Sequence, residues 1–478
     1  MILILILALP LAAAALCWLA HRDRLAPRVA VATALAVLAL VVASRVVAGR
    51  HIVAIEGAIA VDGLSALILL LIAFVGTTAA VFSWGYMARM SHVPQRLRLY
   101  YANYNLFLFS MLAIPVLLKP TFVWIVVELT TLSSAMLVGF ENTRTALEAA
   151  WKYVVLSLMG AAVALLGFLL LFSAMQAAGG GTYTWDGLVS VAPRMPPVLL
   201  QTAFLLILVG LGTKVGLVPL HTWLPDAHSQ APSPVCALLS GIETTAVLYV
   251  ILRLLTVMKG MPGLDAERWA VTFGLISVGT AAFLLIQVRD YKRMFAYSTV
   301  EHMGIILMAA GLGGSAGHYG AMNQILSHTL TKSFCFYAAG AALLATGSRE
   351  IATVHGLIRS APAAGVSLLL GGLAIAGAPP FAVFLSEFSI FKAGLAEGRY
   401  VVIGLLVLFI AIGFFGILSH VNRMVFGRPS ADPPQPVRLP PSCGVTLIVT
   451  GLLVVALGLV MPKPLHALLS LAASAYGG

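Results

Sequence analysis

Apolar runs of about twenty residues follow one another along the whole chain with hardly a charge inside them, and that succession leaves few folds open. The hydrocarbon core of a bilayer is about 30 Å thick and takes about 20 helical residues to cross. With no water there to satisfy the backbone, a spanning segment must close its own hydrogen bonds, which a helix does. The composition agrees: of 478 residues 60% are hydrophobic and 9% charged, where a soluble chain has about a quarter charged. The expected fold is an all-α polytopic membrane protein of about 14 transmembrane helices, centred near residues 10, 36, 74, 110, 131, 162, 208, 246, 278, 304, 332, 376, 411 and 452. Met1–Ala20 lacks a basic leader and a small-residue cleavage site, so it is read as a span rather than a signal peptide. The longest connections, around Gly179–Pro197 and Gly427–Pro441, are too short and too rich in Gly or Pro to fold as soluble domains.

The net charge of +11 does not point to nucleic acid, because the basic residues sit singly between apolar runs. Connections after odd-numbered runs carry sixteen Lys and Arg, including Arg22, Arg24, Arg89, Lys152, Arg293 and Arg349. Those after even-numbered runs, with the tail, carry nine, including Arg45, Arg50, Arg253 and Lys259. The positive-inside rule therefore places the odd connections in the cytoplasm and both termini on the outer side of the inner (plasma) membrane. Cys17, Cys236, Cys335 and Cys443 lie far apart with no C-x-x-C pair, so no disulfide framework, metal site or cofactor is expected in this chain.

Lys214, Lys332 and Lys392, with Glu128, Glu243, Glu301 and Glu387, fall within apolar runs or at their inner ends. A charge at bilayer depth costs about 2.5 kcal/mol or more and usually faces a cavity or a partner. One such residue is often half of a structural pair; a series across many helices suggests an ion pathway. Glu128 lies near the middle of VWIVVELTTLSSAMLVGF (residues 123–140) with nothing close in sequence to neutralise it, and Glu141 follows at that run's end. In LVGLGTKVGLVPLHTWLPDAHSQAPSP (residues 208–234), glycines and Pro219 interrupt a span at Lys214. Broken helices at membrane depth are tolerated where they line a cavity or are buried in protein. His221, Asp226 and His228 are spaced poorly for a metal and better for a polar path from the cytoplasm to Lys214. In RDYKRMFAYSTVEHMGIILMAAG (residues 289–311), Arg289, Lys292 and Arg293 read as a cytoplasmic anchor, with Glu301 and His302 one to two turns deeper. His328 and Lys332 are an i,i+4 pair in NQILSHTLTKSFCFYAAG (residues 323–340). A second interrupted span, LAIAGAPPFAVFLSEFSIFKAGL (residues 373–395), places Glu387 after Gly377, Pro379 and Pro380, with Lys392 on a different face.

Spans 7 and 12 are both interrupted and both carry ionisable residues, five spans apart. Units of five spans enter the membrane in opposite directions, so two inverted five-helix repeats are expected, spans 4–8 and 9–13. The corresponding divisions are residues 1–100, 101–258, 259–425 and 426–478.

HTWLPDAHSQAPSPV, KRMFAYSTVEHMGI and SHTLTK resemble the proton-pumping, antiporter-like membrane subunits of respiratory complex I and the Mrp-type cation/proton antiporters. The form AYSTVEHMGI resembles the hydrogenase-4 component F branch, membrane subunits of group 4 nickel–iron hydrogenase and formate hydrogenlyase-type complexes. The resemblance implies proton translocation through Glu128, Lys214, His328, Lys332 and Glu387, with Glu128 and Lys214 paired. It also implies partner membrane subunits and, through them, a peripheral nickel–iron hydrogenase or other redox module. On the eighth span many relatives carry a lysine where this chain has GIETTAVLYV, with Glu243 and Thr245, so the relay from Lys214 to Lys332 is altered. The chain also ends without the long lateral helix of the largest complex I subunit. Three other functions share these features: an Mrp-type Na⁺/H⁺ antiporter subunit, a non-pumping scaffold, and a subunit of an inorganic-carbon uptake system.

Overall fold

A computed structural model describes residues 1–19, 25–44, 52–90, 96–259, 261, 265–428 and 438–477. Arg22, Arg24, Arg45 and Arg50, which contribute to the charge asymmetry, lie outside the described residues. The described chain is almost entirely helical. It runs α1 (Ile2–Leu19), α2 (Ala26–Ala43), a hairpin of β1 (Ile52–Ile55) and β2 (Ile59–Val61), α3 (Gly63–Met90), α4 (Leu97–Ala113), α5 (Pro120–Val138) and α6 (Arg144–Ala177). Then come α7 (Trp185–Val191), α8 (Pro197–Val215), α9 (Trp223–Gln230), α10 (Ser233–Leu238), α11 (Thr244–Met258), α12 (Ala266–Gln287), α13 (Tyr291–Gly311) and α14 (Gly314–Thr346). The C-terminal part is α15 (Leu357–Ser360), α16 (Pro362–Ile375), α17 (Ala382–Ala396), α18 (Tyr400–Phe426), α19 (Pro441–Leu459) and α20 (Lys463–Gly477).

Local chemistry sets many of these boundaries. Proline opens α5, α8, α16 and α19, where its fixed φ suits the helix and its missing N–H is not needed. Thr143 caps α6 by accepting from Ala146 N at 3.2 Å, and Asp290 caps α13 by accepting from Lys292 N and Arg293 N. A five-residue π-turn, Leu239–Glu243, joins α10 to α11, so that Ser233–Met258 is one continuous rod. Every residue from Ala231 to Leu252 is buried, which makes this rod an axis of the molecule.

Among the described residues, ten helical segments are long and apolar enough to cross a membrane. Four of the fourteen expected runs are not among them, for visible reasons. Helix α4 has 17 residues, α13 and α14 carry polar side chains through their length, and α16 stops after 14 residues at a break. Elements without a counterpart in the expectation include the β1–β2 hairpin, the short α7 and α15, and α20, which shares residues 426–478 with α19. Helix α20 buries Leu468, Leu469 and Ala472 and closes tightly on the start of α3; a Cβ at Gly63 would lie 2.8 Å from the Leu471 backbone.

The two interrupted spans break in the same way. Gly216 (φ 87°) ends α8 and Gly377 (φ 77°) follows α16, both in the left-handed region that glycine adopts without strain. Three residues after each glycine comes a cis proline, Pro219 and Pro380. The continuations differ: the first break resumes as the eight-residue α9, the second as the 15-residue α17.

Candidate functional site

Helices α6 and α8 approach so closely that a Cβ on Gly210 would lie 2.5 Å from the Gly160 carbonyl oxygen. That approach carries Lys214, one turn beyond Gly210, to Tyr153 of α6. The Lys214 ammonium donates to Thr131 Oγ1 of α5 and to the Tyr153 hydroxyl at 3.1 Å, and lies 3.0 Å from Glu243 Oε1. The Tyr153 hydroxyl donates in turn to Glu243 Oε1 at 3.0 Å and contacts Ser134 Oγ at 2.8 Å. Both charged side chains are enclosed, at 3% and 0% exposure. A buried charge needs an opposite charge and further hydrogen bonds; for Lys214 these come from Glu243, Thr131 and Tyr153.

This corrects the expected pairing. Glu243, not Glu128, is the ion-pair partner of Lys214. Glu243 comes from the buried central rod, where an unpaired carboxylate would be most costly, and the π-turn ends on it. Glu128 is half-buried on α5, within electrostatic reach of Lys214 and Glu243 but not bonded to either, and its Oε2 has no partner among the described residues. Glu141 is half-buried and lies near Tyr86 rather than in the row.

The π-turn also joins the two halves of the site. His328 Nε2 donates to the carbonyl of Ser240, three residues before Glu243, at 3.1 Å. Lys332 shares a face with His328 but bonds elsewhere: its ammonium donates to the Phe295 carbonyl at 3.0 Å and to Ser298 Oγ, both on α13. The His302 ring lies 5.2 Å from that of His328. Glu301 packs against Gly413 of α18, and Glu387 against Gly377 at the second break. Both carboxyls are buried, at 4%. Lys392 is exposed and joins nothing in this row.

At the end of the bundle where the odd connections gather, Asp226 bonds Arg293 (2.5 Å) and Lys152 (3.5 Å). His228, two residues later and therefore on the opposite side of α9, is fully buried, and His221 is at the edge of burial. Trp223 stacks between His228 and Tyr153, with ring centroids 6.3 and 4.4 Å apart. Among the described residues no group of three or more His, Cys, Asp or Glu side chains comes together as a metal site. Instead, Glu243 Oε2, His228 Nε2, His328 Nδ1, Asn323 Oδ1 and Ser327 Oγ are buried without a hydrogen-bond partner among the described residues. Tyr153, Gln324 and Ser386 were not singled out by sequence reasoning. Each is a common residue in an apolar helix and carries no motif.

Residues 120–413 match the family described as NADH:quinone oxidoreductase/Mrp antiporter, transmembrane, and residues 51–95 match the N-terminal segment of chain 5 of complex I. A hydrogenase-4 component F homolog of Methylacidiphilum infernorum is 38% identical over 411 residues, covering 84% of this chain and 85% of that one. NADH-quinone oxidoreductase subunit N of Desulforudis audaxviator is 29% identical, with 84% and 81% covered. A chain of the membrane-bound sulfane sulfur reductase, an archaeal respiratory membrane complex, superposes with a TM-score of 0.90 at 25% identity, covering 99% of this chain and 97% of its own. A chain of the Mrp complex from Dietzia sp. shares the fold, with a TM-score of 0.88 at 21% identity and the same coverage.

Proposed function

The chain belongs to the NADH:quinone oxidoreductase/Mrp antiporter transmembrane family, and from that premise we propose that it is a proton-translocating membrane subunit of a redox-driven complex. The observation that carries this reading is the enclosed Lys214–Tyr153–Glu243 cluster, coupled through one π-turn to His328 and onward to Lys332. Lys214, Glu243, His328, Lys332, Glu301 and Glu387 then form a row in which a charge change at one site alters the next. Asp226 and His228 form its mouth at the end of the odd connections. Glu128, half-buried at the edge of the bundle, is the site through which a neighbouring subunit would bias Lys214.

The two Gly/Pro-interrupted spans, α8–α9 and α16–α17, support two inverted five-helix repeats within fourteen spans. The grouping of Lys152, Arg293 and Arg349 at one end supports the cytoplasmic assignment of that end, with both termini outside the plasma membrane. The relative named hydrogenase-4 component F supports a nickel–iron hydrogenase as the redox module, reached through other membrane subunits. This reading places the redox centres in those partners.

The test is Lys214→Met and Glu128→Gln in the intact complex. Each should abolish redox-driven proton uptake into vesicles while the complex still assembles. Uptake that survives both substitutions would mean a scaffold; uptake that persists without redox turnover but needs Na⁺ would mean an antiporter.

A further inference from the structure

One hydrogen-bonded chain near the second break involves no member of that row and starts from His302. The Nε2 of His302 meets the carbonyl oxygen of Ile375, the last residue of α16, at 3.1 Å. A carbonyl only accepts, so Nε2 carries the hydrogen and Nδ1 is the lone-pair nitrogen of a neutral ring. Gln324 of α14 supplies the partner: its Nε2 donates to His302 Nδ1 at 3.1 Å. The other end of the same amide, Oε1, accepts from the hydroxyl of Ser386 on α17. All three side chains are buried, at 1% or less. Ser386 directly precedes Glu387, and its hydroxyl also lies 2.8 Å from the Val383 carbonyl and 3.1 Å from that of Ala382.

This chain has a second arrangement in which every group is again satisfied. A proton added to His302 goes to Nδ1, which then becomes a donor and needs an acceptor. Rotation of the Gln324 amide by half a turn presents Oε1 to that nitrogen and the NH₂ to Ser386 Oγ. The serine hydrogen then turns to the Val383 carbonyl, already within reach. No bond is lost, and the proton stays on His302. From this geometry we infer that Gln324 is a two-position amide switch, which reports the charge of His302 to the start of α17 and so to Glu387. The inference rests on the proposed proton row for its purpose, although the switch itself does not require transport. The other ionisable groups that face His302 are His328 and Lys332 of α14; Glu301 adjoins it in sequence on α13, and Glu387, which interacts with Glu301, follows Ser386 on α17. Gln324 is a positioning residue: it carries no proton itself.

Two substitutions at Gln324 separate a switch from simple packing. Gln324→Glu offers the imidazolium a permanent acceptor, and Gln324→Leu leaves its Nδ1–H with none. In an infrared titration of the purified complex, the imidazole protonation signal should move to higher pH with Glu and to lower pH with Leu. About one pH unit in each direction is expected, the size of one hydrogen bond to a charged group. In the unsubstituted protein, labelling the glutamine carbonyl should reveal an amide band that shifts at the same midpoint as the imidazole signal. An amide band that stays still through that midpoint, or midpoints unmoved in both variants, overturns the inference. Loss of assembly in one variant leaves the other and the amide band to decide. The titration is independent of transport, so failure of the proton-pumping reading would appear as absent uptake with these signals intact.

Discussion

Lys214 and Glu243 are held at 3.0 Å with both side chains enclosed, and the consequences of removing one differ from those of removing both. A lone buried charge costs about 3–5 kcal/mol, whereas replacing the pair by neutral groups of similar volume is often near neutral. Glu243→Gln should therefore lower the thermal stability of the complex markedly. Adding Lys214→Met should recover most of that loss without restoring proton uptake. Thermal unfolding of the two variants checks this, and a double variant as unstable as the single one would contradict the pairing. Tyr153→Phe leaves both charges but removes the hydroxyl between them. If that hydroxyl carries protons, uptake should fall about 100-fold or more, the range usual for a positioned proton-transfer group, at a smaller stability cost than Glu243→Gln.

At the scale of elements, one clamp ties the first half of the bundle together away from the row. Arg253 of α11 reaches Asp62, just before α3, at 2.5 Å, and donates to Ser65 Oγ and the Tyr249 hydroxyl at 2.9 Å. Burial pushes the Asp62 carboxyl up, but the Arg253 guanidinium and the hydrogen bonds from Arg253 and Ser65 outweigh it and hold the group below 3.8. A depressed carboxylate contributes stability that is complete above its unfolded value and lost as pH falls through the folded one. The clamp should therefore be at full strength at neutral pH and weaken only on acidification through the carboxylate range. Asp62→Asn should cost about 2 kcal/mol at pH 7, less than a fully buried pair because Asp62 is 29% exposed. The difference from the unsubstituted protein should shrink on acidification below that window, as thermal unfolding across pH would show.

For the molecule as a whole, the proposed orientation makes opposite faces chemically distinguishable. Thr353 lies with Arg349 at the end of the odd connections, and Ser470 lies on α20 at the other end; both are exposed. Thr353→Cys should react with a membrane-impermeant maleimide only in inside-out vesicles, and Ser470→Cys only in intact cells. The native cysteines are all buried and should stay silent. The reverse pattern would turn the whole bundle over, and with it the side of proton uptake.

Length and hydropathy alone determined that the chain is a helical membrane protein, because an apolar run of twenty residues has no stable alternative in lipid. The two breaks were legible for a similar reason: Gly and Pro interrupt a helix whatever packs around it. The residues bearing charge at depth, from Glu128 to Glu387, could also be named, since each is anomalous in its own run. Pairing could not. Whether Lys214 meets Glu128 or Glu243 depends on how α5, α6, α8 and the central rod cross, and on a π-turn that no local pattern announces. The roles of Tyr153, Gln324 and Ser386 were likewise invisible, because a tyrosine, glutamine or serine in an apolar helix is ordinary until its neighbours are known. Sequence determines which side chains cannot be left in lipid; the tertiary structure alone decides which of them satisfy one another, since a hydrogen bond or ion pair forms only between groups that packing brings to about 3 Å.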